Sequence, residues 1–164
     1  GEWLYVNEAA HAMGLWSSAT MMFGHVETLE ERLIHMERVR ALQDRTGKFI
    51  AFIAWTYQPD HTPVRYGPRA GGHDYLRTQA VARLFLDNFD NVQSSWVTQG
   101  PKLAQIALKY GLNDFGSTMM EENVVSPTGA SYVMQMQIEE IRRLIRDAGY
   151  EPRVRDTLYN LLDQ

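Results

Sequence analysis

Residues 49–55 read Phe-Ile-Ala-Phe-Ile-Ala-Trp, the longest uninterrupted apolar run in the chain. An apolar run of this length without polar alternation is typical of a strand that is buried on both faces, as in a parallel sheet. A loop rich in Pro and Gly follows, and a helical pattern begins at about residue 74. Parallel strands need crossover connections, which are usually helices. The run therefore predicts a parallel α/β sheet.

The same alternation of strand and helix occurs on both sides of this run. Residues 17–23 predict an earlier strand, and Thr28-Leu29-Glu30-Glu31 matches a capping box that begins a helix ending at Gly47. Residues 91–97 and 114–119 predict two later strands, with a helix that starts at Pro101 between them. A last helix is expected from about Met136 to Ala148.

Four strand–helix units are half of an eight-stranded barrel, which needs about 250 residues. The fold class is therefore α/β, the C-terminal half of a TIM-like (β/α) barrel with four parallel strands, crossover helices, a C-terminal helix and a tail. Residues 1–125 are expected to form the half-barrel, and residues 126–164 a loop, helix and tail that pack on it. The first helix has neither a starting Met nor a cap, so we expect this chain to be a piece of a longer one.

The composition narrows the classes of function. The 164 residues carry a net charge of -4, and 45% of them are hydrophobic, which argues against a disordered tail or a basic nucleic-acid binder. No apolar run approaches the length of a membrane span. We therefore expect neither nucleic acid nor a membrane as a partner, and we expect a cytoplasmic location. With no cysteine, the chain cannot supply the cysteine ligands of an iron–sulfur cluster.

In barrel folds the active site lies at the carboxyl ends of the strands. Polar residues follow the predicted strands at 24–27, 55–61, 98–100 and 116–123. The first segment precedes a helix and could hold an anion, or it could be a turn in which Glu27 favours the helix start. The segment after Trp96 could cradle a phosphate or a purine edge, or it could be an ordinary turn. Spacing alone leaves these alternatives open, and it indicates no metal site and no catalytic residue.

Residues 19–28 read Ala-Thr-Met-Met-Phe-Gly-His-Val-Glu-Thr, which resembles the fifth-strand motif Gly-x-Ile-x-Gly-x-x-Glu of radical S-adenosylmethionine enzymes. Gly24 and Glu27 match this motif, whereas Thr20 replaces its first Gly and Met22 its Ile. The resemblance implies that Thr20, Met22, Gly24 and Glu27 bind S-adenosylmethionine.

Further stretches resemble the cyclic dehypoxanthinyl futalosine synthase family, whose members close a ring on a futalosine-derived nucleoside in menaquinone biosynthesis. These stretches are Arg-Ala-Leu-Gln-Asp at 40–44, Ser-Trp-Val-Thr-Gln-Gly-Pro-Lys at 95–102, Asn-Asp-Phe-Gly-Ser-Thr-Met at 113–119 and Glu-Glu-Asn-Val-Val at 121–125. Aminofutalosine synthases and deazaflavin-cofactor synthases are close relatives that differ somewhat there. Family likeness and strand-end position together suggest the residues that bind a nucleoside-type substrate: Trp55, Gln58, Ser95, Trp96, Thr98, Gln99, Asn113, Ser117 and Glu121.

The resemblance also implies chemistry that this chain cannot perform alone. The family cleaves S-adenosylmethionine at a 4Fe-4S cluster held by a Cys-x3-Cys-x2-Cys loop, and the resulting 5′-deoxyadenosyl radical abstracts a hydrogen from the substrate ribose. This chain has no cysteine, so we expect it to be inactive without the amino-terminal half of the barrel.

Two other readings are weighed against this one. In the first, the chain is a non-catalytic half-barrel that closes its sheet with a second copy and binds a nucleotide-like ligand. In the second, it is a small independent α/β enzyme that uses His25, His61 and Glu121, a set without supporting spacing.

Overall fold

A computed structural model describes residues 1–59, 70–119 and 136–162. Three parallel strands form the main sheet in the order β1, β2, β3, with bounds Ser17–Phe23, Phe49–Thr56 and Val92–Gln93. The helices are α1 Glu2–Ala12, α2 Leu29–Thr46, α3 Gly72–Phe85, α4 Trp96–Gln99, α5 Pro101–Ala107 and α6 Ile138–Asp147, with a 3-10 turn at Leu108–Tyr110. An antiparallel pair near the carboxyl end, β4 Val154–Arg155 and β5 Leu161–Leu162, was not predicted. None of the helices in these ranges is both long and apolar enough to cross a bilayer.

The register between β1 and β2 gives the sheet two different faces. Ala19 lies beside Phe52 and Met21 beside Ala54, and all four are almost completely buried. Thr20 lies beside Ile53 on the opposite face, and both side chains are only partly buried. We call the second face, which carries Ser18, Thr20, Met22, Ala51, Ile53, Trp55 and Gln93, the inner face. In a closed barrel it would point to the interior.

The predicted helix between Thr28 and Gly47 is confirmed together with its caps. The Thr28 hydroxyl accepts a hydrogen bond from the Glu31 N–H at 3.2 Å, and the Glu31 carboxylate accepts one from the Thr28 N–H at 2.7 Å. Gly47 ends the helix in the left-handed conformation at φ 59°, which glycine adopts without steric penalty. The caps fix the point at which α2 leaves β1 and the point at which β2 begins.

The third and fourth predicted strands are shorter than the sequence suggested. Residues 91–97 contain only the two-residue β3, because the Gln99 N–H donates to the Ser95 carbonyl and starts a helical turn. The fourth strand is reduced to one parallel bridge between Gln93 and Asp114. The Asp114 carboxylate accepts from the Gly116 N–H at 2.8 Å, and Gly116 has φ +95°, so the chain turns away from the sheet.

The expected last helix is present as α6, and its packing is visible in part. Leu144 is buried, and its carbonyl accepts a hydrogen bond from the Gln105 side chain of α5 at 2.8 Å. The expected boundary at residues 125 and 126 lies outside the described residues, so the division of the chain into a half-barrel and a C-terminal unit stays a prediction.

A buried histidine joins three elements at the amino end of the sheet. His11 of α1 is 4% exposed, and its ring nitrogens lie 2.8 Å from the hydroxyls of Thr46, at the end of α2, and Ser17, at the start of β1. Its ring also meets the edge of Phe49. Burial lowers the pKa of His11, and the positive charge of Lys48 lowers it further.

We predict that the free energy of unfolding falls as the pH drops from 7.5 to 5.5. The unfolded histidine takes up its proton near pH 6.5, while the folded one resists protonation, so the unfolded state binds more protons in this interval. Urea unfolding at a series of pH values measures the effect. His11→Gln should show a smaller dependence on pH, and the exposed His73→Gln is the matched control. A pH dependence unchanged by His11→Gln would contradict the prediction.

Candidate functional site

The carboxyl ends of β1, β2 and β3 meet at one edge of the sheet, which we call the site edge. At β1 the strand ends in a turn at Gly24, where φ is +80°. Both carboxylate oxygens of Glu27 hold this turn, one accepting from the Gly24 N–H at 2.5 Å and the other from the His25 N–H at 2.9 Å. The predicted cofactor residue Glu27 is therefore engaged with its own loop.

Arg32 of α2 stabilises the same turn through two ion pairs. Its side chain is 10% exposed, and it donates to the Glu27 carboxylate at 2.8 Å and to Asp74 of α3 at 3.0 Å. The guanidinium also lies over the Phe23 ring, 4.6 Å from its centre. Partial burial alone would raise the pKa of Glu27, but hydrogen bonds from Gly24, His25 and Arg32 outweigh that effect and lower the pKa. Glu27 thus stays ionised and the turn stays fixed at neutral pH.

A buried network of amides and hydroxyls joins β2 to the turn after β3. The Thr56 hydroxyl accepts from the side-chain amides of Gln58 at 2.9 Å and Gln99 at 2.7 Å. The hydroxyls of Ser95 and Thr98 lie 2.7 Å apart, and Gln99 also donates to Thr98 at 3.2 Å. Gln58, Ser95, Thr98 and Gln99 were predicted from the sequence, and the structure brings them together. Thr56, the residue that links them, lies in the polar segment 55–61 but was not selected, because its bond to Gln99 joins residues 43 positions apart in the chain.

Met22 and Trp55 stand side by side at the same edge. They are register partners on the inner face, and Met22 is half exposed. Thr20 lies one register pair deeper on that face, beside Ile53. The three predicted residues therefore share one surface, at the same edge as the polar network.

The remaining predicted residues fall elsewhere. Trp96 is 2% exposed, and its indole N–H donates to the Ser117 carbonyl at 3.1 Å, so its ring is part of the core beneath the site edge. Asn113 lies at the amino end of β3, where its amide accepts from the Val92 N–H and donates to the Asp90 carbonyl. The structure therefore does not bring Asn113 to the site edge, because the chain crosses back before residue 114 joins the sheet. Glu121 lies outside the described residues.

The site edge carries no metal centre within the described ranges, since no three of their His, Asp and Glu side chains converge. His25 packs its ring against Tyr57, with ring centres 4.4 Å apart, and His61 lies outside the described residues. The chemistry that these residues offer is hydrogen bonding by neutral amides and hydroxyls beside an apolar surface. Such a combination suits a polar organic ligand.

A parallel α/β sheet with its polar side chains gathered at the carboxyl edge belongs to the class of α/β proteins that bind ligands at that edge. Comparison with known families gives a narrower assignment. Residues 46–164 match the family described as CofH/MqnC C-terminal region, and the chain belongs to this family.

Curated proteins with similar sequences have several different names. The chain is 45% identical over 161 residues to cyclic dehypoxanthine futalosine synthase of Halalkalibacterium halodurans, which covers 98% of the chain and 43% of that protein. It is 44% identical to aminodeoxyfutalosine synthase of Thermus thermophilus, covering 96% of the chain and 43% of that protein. It is 42% identical to 5-amino-6-(D-ribitylamino)uracil--L-tyrosine 4-hydroxyphenyl transferase of Methanothermobacter thermautotrophicus, covering 99% of the chain and 46% of that protein. The chain spans less than half the length of these relatives.

We predict that Gly24→Ala destabilises the protein more than Gly14→Ala. Both glycines have positive φ, which costs about 1–2 kcal/mol for other residues. A Cβ at Gly24 would lie 2.5 Å from the Ala70 Cβ, whereas Gly14 has open space around it. Overpacking adds typically about 1–3 kcal/mol.

Urea unfolding of the two variants separates the strain of the backbone from the steric contact. Adding Ala70→Gly to Gly24→Ala should recover the overpacking part only. Equal losses in the free energy of unfolding for Gly14→Ala and Gly24→Ala would show that the Ala70 side chain does not clash with a Cβ added at residue 24.

Proposed function

We propose that this chain forms the C-terminal part of the catalytic barrel of a radical S-adenosylmethionine enzyme that cyclises dehypoxanthine futalosine in menaquinone biosynthesis, in the cytoplasm. One observation carries the proposal: the motif on β1 ends at the same edge as the Thr56 network. The similarity to futalosine synthases over nearly the whole chain supports an enzyme of this family. The family also includes relatives with other names, so the choice of reaction rests on stretches 95–102 and 113–125.

The β1 residues suit an adenosyl group. Met22 and Trp55 offer adjacent apolar surface on the inner face, and Gly24, which has no side chain, lets Ala70 pack closely against the turn that follows β1. Glu27 and Arg32 keep the Gly24 turn in place. In this class, bound S-adenosylmethionine supplies a radical that abstracts hydrogen from the substrate. The part of Thr20, Met22, Gly24 and Glu27 is to hold and orient that cofactor.

The iron–sulfur cluster does not fit the residues of this chain, because the chain contains no cysteine. We propose that its ligands come from a polypeptide segment equivalent to the amino-terminal part of the relatives. The same segment would pair with β1 and complete the barrel. We derive no step through the cluster, and the chain by itself is expected not to turn over.

The substrate side is proposed to bind a nucleoside. Gln58, Ser95, Thr98 and Gln99 carry neutral donors and acceptors that match ribose hydroxyls and ring heteroatoms. Their mutual hydrogen bonds fix the side chains before the ligand arrives, which lowers the entropy lost on binding. Trp96 and Ser117 would support this wall from the core, and Asn113 would fix the start of β3. The proposal includes Glu121 on family likeness alone.

A second candidate function is a half-barrel that pairs with another copy of itself and binds a nucleotide-like ligand without catalysis. The half-exposed Met22 on the inner face is the observation that favours it, because an apolar face left open promotes association. This candidate predicts a stable dimer that needs no other segment.

To test the main proposal, the chain is purified alone and together with the amino-terminal part of the Halalkalibacterium halodurans enzyme. After anaerobic reconstitution with iron and sulfide and reduction with dithionite, S-adenosylmethionine and dehypoxanthine futalosine are added; we expect no cleavage of S-adenosylmethionine by the chain alone and measurable cleavage and cyclisation by the pair. The matched control is the same amino-terminal part with its cluster cysteines changed to alanine.

Three results would contradict the proposal. They are reductive cleavage by the chain alone, an inactive pair that nevertheless forms a stable complex with a loaded cluster, and a pair that cleaves the cofactor but leaves dehypoxanthine futalosine unchanged. Sedimentation equilibrium of the chain alone tests the second candidate, which requires a dimer.

A further inference from the structure

The carboxyl-terminal hairpin reaches the inner face of the sheet. Tyr159, between β4 and β5, donates its hydroxyl hydrogen to the side-chain oxygen of Gln93 at 2.6 Å. Gln93 is the register partner of Ile53, which in turn pairs with Thr20. Gln93 therefore lies on the same face as the residues of the β1 motif, one register pair below Met22 and Trp55. The sequence indicated that the tail packs on the half-barrel, but it did not indicate where.

Two further contacts hold Tyr159 in this position. The Arg155 guanidinium stacks over the Tyr159 ring, 3.7 Å from its centre, and forms a two-point ion pair with Asp114, with Nη2 to Oδ1 at 3.0 Å. Asp114 is itself the bridge partner of Gln93, so the hairpin and the sheet are connected at two points. Tyr159 has φ +66°, an uncommon conformation for a side chain of this size. The surroundings thus determine where the hydroxyl points.

The hydroxyl in turn determines how the Gln93 amide is oriented. Because the oxygen accepts from Tyr159, the amide nitrogen points the other way, and it lies near Gly116, where an added Cβ would be 3.3 Å from it. Burial and the nearby Asp114 carboxylate together raise the pKa of Tyr159 to about 12, although the charge of Arg155 acts in the opposite direction. The hydroxyl therefore remains a donor at neutral pH, and the amide keeps one orientation.

We propose that Gln93 is a ligand-binding residue of the inner face, which donates an N–H to an acceptor atom of a nucleoside, and that Tyr159 is its positioning residue. The proposal rests on the proposed function, since it adds a contact to the same site. It extends the site from the strand ends into the inner face. It also gives the hairpin a function, to present an amide donor on the inner face.

Adenosine is the probe for this proposal, titrated into the 15N-labelled chain while the side-chain amide signals are followed by NMR. The Gln93 signal is assigned by its loss in Gln93→Glu. We expect adenosine to shift it, and Gln93→Glu, which keeps the acceptor for Tyr159 but removes both donors, to weaken binding about tenfold. Gln137→Glu, at an exposed position, is the matched control.

Tyr159→Phe tests the positioning role. Without the hydroxyl the amide can turn over, so binding should weaken, and adding Tyr159→Phe to Gln93→Glu should weaken it no further. Tyr5→Phe, on an exposed tyrosine, is the control, and urea unfolding shows whether the variants remain folded. If the losses of adenosine affinity caused by the two substitutions add in the double variant, Tyr159 acts only on stability.

Three outcomes would overturn the inference: no binding of adenosine, binding that leaves the Gln93 signal unchanged, or equal affinity for Gln93→Glu. The proposed function is judged separately, by turnover of the reconstituted pair. A pair that turns over with an unchanged KM in Gln93→Glu refutes this inference alone. A chain that binds adenosine through Gln93 but forms only inactive pairs refutes the proposed function alone.

Discussion

The pairing of β1 with β2 is the constraint on which the rest of the molecule depends. Its register runs without interruption from Ser18 beside Ala51 to Phe23 beside Thr56. Because side chains alternate, a slip of β1 by one residue would exchange its two faces, burying Thr20 and exposing Met21. The same register places Phe23, the last residue before the Gly24 turn, level with Thr56. The apolar core and the polar edge are therefore two results of a single alignment, held at its amino end by His11 and at its carboxyl end by Arg32.

Local signals in the sequence sufficed for the elements that build this pairing. The apolar run at 49–55 and the capping box at Thr28 are short-range patterns, and both elements form at the expected places. The strand at 91–97 was too long in the prediction because its apolar residues Trp96 and Val97 pack just as well from a helical turn. A run of this length does not distinguish a buried strand from a buried helical segment.

In the candidate site, too, some residues could be predicted from local patterns and others could not. Residues at strand ends could be selected because a parallel fold places all carboxyl ends at one edge, and Gln58, Ser95, Thr98 and Gln99 do meet there. Thr56, Arg32, Gln93 and Tyr159 could not be selected, because each of their roles involves a partner 42 to 66 residues away in the chain. Asn113 had the right position in the sequence, but its amide is committed to the opposite end of β3. Long-range side-chain pairing leaves no periodic trace in a sequence.

The hairpin that carries Tyr159 also sets the order in which the molecule can be completed during synthesis. A chain emerges from the ribosome amino end first, and its domains begin to fold as they emerge. The three strands and their helices have then left the ribosome while residue 159 is still inside the exit tunnel. Until residue 159 has emerged, Gln93 lacks its partner and the inner face is unfinished. A nascent chain that has not yet exposed the hairpin is consequently a folded sheet without a finished inner face, and emergence of the hairpin is the event that completes it.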